Sequence, residues 1–176
     1  TQSRSSAASD VYKRQVLAVS PDGRKIWAAG HLPAGAADGD FTAAALTLVE
    51  DGKAVHFPLS NGTQGVRGMA ISPDGRYLAV AHVLSRYQAP TTQLDRGWMN
   101  TNAVTVINTD EPDKPHPVLL DDPDAGAANP WGVSFSGDGG KLFVTHAGTH
   151  ELSVIDFPAL LERMKREDRS NEPVSE

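Results

Sequence analysis

His82 and His146 each stand seven residues after the glycine of an Asp-Gly pair, Gly75 and Gly139. A neutral imidazole nitrogen is a good ligand for copper, zinc or haem iron, so histidines recurring in one column are candidate metal ligands. After the corresponding Gly23 the column holds Gly30, with His31 one residue later. A slip of one residue turns a strand side chain to the other face unless a bulge intervenes, which makes the third member imperfect. His150 adds a His-x3-His pair with His146. The candidate metal set is therefore His82, His146, His150 and His31, weighed against the more ordinary use of buried histidines as hydrogen-bonded structural groups.

A second candidate surface follows His82. From Val83 to Asn102 the chain inserts about sixteen residues more than the equivalent stretch after His146, and long connections on a compact scaffold are commonly binding loops. Arg86 and Arg96 suit bidentate grip of a carboxylate or phosphate, and Tyr87 and Trp98 offer flat apolar faces. The competing reading pairs Arg86 with Asp95 and uses Trp98 as a plug, since an inserted loop must bury something to be ordered.

These residues are carried by an internal repeat. Val16–Gly30, Gly68–His82 and Gly132–His146 each hold a short apolar strand, a Ser-(Pro/Gly)-Asp-Gly turn and a second apolar strand. Proline presets φ, aspartate caps the local backbone and glycine supplies the positive φ that closes the hairpin. A third strand follows at 44–50, 103–108 and 151–156, and a fourth is readable at 53–59 and 116–120, the latter with a proline suited to an outer edge. The first two strands are apolar on both alternations, so both sheet faces must be covered.

Composition narrows the rest. The 176 residues carry 16 Lys+Arg against 22 Asp+Glu, a net charge of -6 with no basic block, which argues against a nucleic-acid partner. No apolar run reaches the roughly 18 residues of a bilayer span. The absence of cysteine excludes CxxC zinc sites, CxxCH haem attachment and thiol catalysis within these residues. Residues 1–15 are polar and aperiodic, and 10–15 can be encoded by GAT GTG TAT AAG AGA CAG, which resembles a transposase adapter end; this segment is expected to be disordered or non-native.

The three Ser-(Pro/Gly)-Asp-Gly units, from Val16 to Phe157, resemble the YVTN-type repeats of seven-bladed β-propellers. That resemblance implies an all-β fragment of about three four-stranded antiparallel blades (16–60, 66–120 and 131–157) stacked face to face around a channel. Three blades do not close a ring of four to eight, so further blades are expected as partners. Residues 158–176 form a helical insertion or tail, with Leu160, Leu161 and Met164 on one stripe and Glu162, Arg163, Lys165 and Arg166 on a solvated face. The stretch from Tyr87 to Asn102 is similar to propellers that precede c-type cytochrome domains in bacterial envelope proteins. The leading expectation is a non-catalytic ligand- or partner-binding module of a periplasmic or cell-surface protein, associated with electron transfer, with copper or haem supplied by a missing domain and a cytochrome c domain as partner. Two enzyme readings stand beside it: a metal-dependent redox enzyme resembling nitrous oxide reductase, and a lactonase-type propeller hydrolase. Catalytic residues are assigned to neither.

Overall fold

The computed structural model describes residues 15–34, 39–86, 99–121 and 127–171. Eleven strands and one helix follow in order among them: β1 (Gln15–Val19), β2 (Ile26–Gly30), β3 (Ala45–Glu50), β4 (Lys53–Pro58), β5 (Thr63–Ile71), β6 (Tyr77–Ser85), β7 (Asn100–Asn108), β8 (His116–Leu119), β9 (Pro130–Phe135), β10 (Lys141–His146), β11 (Glu151–Asp156) and α1 (Phe157–Asn171). They form antiparallel sheets β1-β2-β3-β4, β5-β6-β7-β8 and β9-β10-β11. This is the expected propeller fragment, with β1, β5 and β9 adjacent as the innermost strands of successive blades.

Several boundaries differ from the sequence expectation. Gln15 already belongs to β1, where it pairs with Gly30. The third blade has three strands among the described residues, because the chain passes from β11 directly into α1. The blade-two insertion is shorter as a loop than expected: β6 runs on to Ser85 and β7 begins at Asn100, so both ends of the insertion extend the hairpin.

The repeated turn is a closed hydrogen-bond box. In blade two the Ser72 hydroxyl donates to Asp74 Oδ1 at 2.5 Å and accepts from Tyr77 N–H at 3.0 Å. Asp74 Oδ1 accepts from Arg76 N–H at 3.1 Å, and Ser72 C=O accepts from Gly75 N–H at 2.8 Å. The same four bonds recur around Ser20 and Asp22, and around Ser136 and Asp138. The third copy has Gly137 where the others have proline, so serine, aspartate and the closing glycine suffice. Those glycines have φ of 73°, 75° and 72°.

The serine hydroxyl, followed in two of the three turns by the backbone amide, holds Asp22, Asp74 and Asp138 below the usual carboxylate range. A depressed folded-state pKa gives stability that is complete above the unfolded value of about 3.9 and is lost as the pH falls through the folded value. Asp74→Asn is therefore expected to flatten the loss of stability below about pH 4, measured by denaturant titration of the intact protein across a pH series.

Glycine also matters in the adjoining strand. From the sequence alone, Gly75→Val is expected to cost more than Gly65→Val, because Gly75 closes the hairpin turn and Gly65 reads as part of a loop of unassigned geometry. Gly65 instead sits in β5 at φ 63°, where the pairing with β6 shifts register between Gln64 and Gly68. Both positions are thus strained for valine by about 1–2 kcal/mol. The remaining difference is crowding, since a Cβ at Gly75 meets Pro21 Cδ of blade one at 3.3 Å and one at Gly65 meets Val83 Cγ2 at 3.8 Å.

Two apolar layers hold the blades. Between blades one and two lie Trp27, Leu46, Leu78, Val80 and Ile107, all fully buried. Between blades two and three lie Ala79, Val104, Val106, Leu142 and Val144, closed off by α1. Phe157, at the start of α1, meets Tyr77 and Phe135 edge-on at 5.4 and 4.9 Å. Asp156 caps the helix by accepting from Ala159 N–H at 3.0 Å. Leu160, Leu161 and Met164 pack on the layer as their spacing predicts, while Arg163–Glu167 and Lys165–Glu162 pairs face outward.

Cross-strand register places the outer faces too. Leu17 and Val19 align with Ala28 and Ile26 on the face of blade one turned away from blade two, and Leu152 and Val154 align with Thr145 and Phe143 on the far face of blade three. Leu17 is 64 % exposed and Leu152 and Val154 are each 54 % exposed.

Candidate functional site

His82 lies on the side of β6 that faces blade one, fully buried. Its Nδ1 donates to the Val83 carbonyl at 3.2 Å, which leaves Nε2 of the neutral ring to accept from the Thr105 hydroxyl at 2.6 Å. Burial pushes its pKa down to about 4, partly opposed by the Val83 carbonyl. Both ring nitrogens are thereby engaged within the protein.

His146 occupies the equivalent place in blade three. Its Nε2 is 2.8 Å from the Ser153 hydroxyl, while Nδ1 is buried without a hydrogen-bond partner. Thr105 pairs across the sheet with Val80, and Ser153 with Val144, each five residues after its turn glycine. The corresponding third-strand residue of blade one is Thr47, opposite Ala28. There Gly30 supplies no imidazole, and His56 on β4 approaches the Thr47 hydroxyl at 2.9 Å instead. Each blade therefore joins a third-strand hydroxyl to a histidine. Sequence reasoning found the histidines but not their partners, although Thr47, Thr105 and Ser153 recur in register.

The other candidates are placed apart from this pair. His31 follows β2 and turns toward blade two, as a one-residue slip predicts, donating from Nδ1 to the Val66 carbonyl at 3.0 Å. His150 is exposed, with φ 58°, in the turn between β10 and β11. Among the described residues no three His, Asp or Glu side chains gather into a metal-sized cluster. Arg86 is exposed and its N–H donates to the Met99 carbonyl at 2.7 Å, closing the base of the insertion. Tyr87, Arg96 and Trp98 lie outside the described residues.

Below that base, Asn102 binds the connection between blades two and three. Its N–H and Nδ2 donate to the Asp121 carboxylate at 2.6 and 2.9 Å, Nδ2 also donates to the Ala127 carbonyl, and Oδ1 accepts from Asn129 N–H at 3.1 Å. This asparagine fixes the entry into β9.

Nearer the axis, Arg67 of β5 lays its guanidinium over the Trp131 ring of β9, 4.4 Å from the centroid. Neither residue stands out by type alone. Their relation is legible only once the repeats are aligned, since each lies eight residues before its turn glycine.

No family model matches the chain. It is 28 % identical over 154 residues to hydrazine synthase subunit beta of Kuenenia stuttgartiensis, a match covering 85 % of this chain and 38 % of that protein. A solved structure of Kuenenia stuttgartiensis hydrazine synthase superposes with a TM-score of 0.71 at 23 % identity, over 85 % of this chain and 41 % of the other. The fold is shared, and the chain spans about two fifths of the length of the relative it resembles.

Proposed function

We propose that this chain is an arc of blades from a larger propeller that acts as a non-catalytic, partner-binding subunit of an extracytoplasmic redox assembly. The observation that carries this reading is the use made of the repeated histidines: His82 and His146 are sealed in separate inter-blade layers and tied to Thr105 and Ser153. Such histidines serve packing. The apolar faces left at both ends of the arc favour further blades beyond it. Likeness to a subunit of hydrazine synthase favours a multi-subunit setting, in which haem or copper chemistry belongs to a partner such as a cytochrome c domain.

The test is metal and haem analysis of the intact, folded protein alone and with its co-purifying partners. The reading predicts no stoichiometric copper, zinc or iron in the separated subunit, and haem only in fractions that contain the partner. Stoichiometric metal lost in folded His82→Ala and His146→Ala variants, but kept in His56→Ala, would instead establish the metal-dependent enzyme.

A further inference from the structure

The residues eight positions before the turn glycines are Gln15, Arg67 and Trp131, on the innermost strands β1, β5 and β9. Adjacent inner strands in equivalent register put these positions in one layer around the axis. In that layer Arg67 is stacked on Trp131, and its Nε is shielded from solvent with no hydrogen-bond partner. A guanidinium is charged at any accessible pH and carries five donors in its own plane. Stacking uses the face of that plane and leaves the donors at its edge unspent.

A shielded charged donor without an acceptor is costly, which favours an acceptor bound at this edge. The chain as a whole has an excess of acid, yet among the described residues no carboxylate pairs with Arg67. Trp131 remains 45 % exposed, a large apolar surface beside the charge. Sequence around the site also keeps it narrow, because Gly68 brings the β5 backbone directly against Trp131 and Val133.

We propose that Arg67 and Trp131 form a binding site for a small carboxylate in the axial layer of blades two and three. The carboxylate accepts hydrogen bonds from the guanidinium edge, in the bidentate geometry that planar ions share, and the body of the ligand lies against the exposed part of the indole. The site is independent of whether haem or copper resides in a partner.

Calorimetric titration of the intact protein with benzoate, with acetate and inorganic phosphate as parallel probes at fixed ionic strength, tests the assignment. Benzoate is expected to bind with one-to-one stoichiometry, acetate more weakly for want of a ring, and phosphate more weakly than benzoate. Arg67→Met is expected to weaken benzoate at least tenfold, about 1.4 kcal/mol, and Trp131→Leu to weaken benzoate more than acetate. Thermal melting of each variant confirms that a folded protein was titrated, and Arg67→Lys, which keeps charge but not the fork, serves as the milder variant. No saturable heat with any probe, equal affinity in Arg67→Met, or phosphate binding tighter than either carboxylate would overturn the proposal.

Discussion

Gly68→Ala is expected to destabilise the protein by about 3 kcal/mol or more, at the upper end of what overpacking costs. A Cβ at Gly68 would collide with the Trp131 carbonyl oxygen and stand 3.1 Å from Val133 N and 3.2 Å from Trp131 C. All three are backbone atoms of the next inner strand. They give way only if β5 and β9 separate, and that separation opens the apolar layer between blades two and three. Gly132 is the built-in control, because it is the repeat-equivalent glycine. A Cβ there meets chiefly the Thr145 hydroxyl at 3.0 Å, and a side chain can rotate away. In the 176-residue chain, where no further blade packs on β9, Gly132→Ala is therefore expected to cost distinctly less than Gly68→Ala, measured by denaturant unfolding of that chain. Equal costs would mean that β5 and β9 do not abut as described.

Acid should act on His82 before it acts on the turn aspartates. A histidine whose folded pKa is pushed from about 6.5 to about 4 gives stability that is complete above the unfolded value. As the pH falls between those values the unfolded chain takes up a proton that the folded chain refuses, so stability drops. The full difference amounts to roughly 3 kcal/mol, taking about 1.36 kcal/mol per pH unit. His82→Gln should lower stability at neutral pH while removing most of this slope. Thr105→Val strands the buried Nε2, and is expected to cost about 1–3 kcal/mol. Denaturant midpoints from pH 8 to pH 3.5 check both, and an unchanged slope in His82→Gln would refute the buried, neutral assignment.

The parts legible in sequence are those determined within a few residues. The Ser-Asp-Gly box is written in six consecutive positions, Ser72 to Tyr77 in blade two, and the repeat of Asp22, Asp74 and Asp138 exposes it three times. The Leu160, Leu161 and Met164 stripe likewise revealed a helix. What was not legible depends on register between distant segments. Thr105 meets His82 across 23 residues of sequence, and its role appears only when β7 is paired with β6. Phe157 reads from the sequence only as the last residue of blade three, yet two aromatic contacts from different blades make it the first residue of α1. Arg67 and Trp131 meet through the stacking of one blade on the next, which no local pattern encodes. The insertion reads as a loop from Val83 because the repeat unit ends at His82, and the strand end from Asn100 to Asn102 is polar, which the alternation rule discounts.

The central claim is that the chain is an arc of blades whose two outer sheet faces are halves of inter-blade contacts. Sedimentation velocity of the 176-residue chain over a range of concentrations tests it most directly. Leu17 and Val19 at one end, with Leu152 and Val154 at the other, should drive concentration-dependent association. Leu17→Lys combined with Val154→Lys should shift the distribution toward monomer. A monodisperse monomer at every concentration, with a single cooperative thermal transition, would contradict the account.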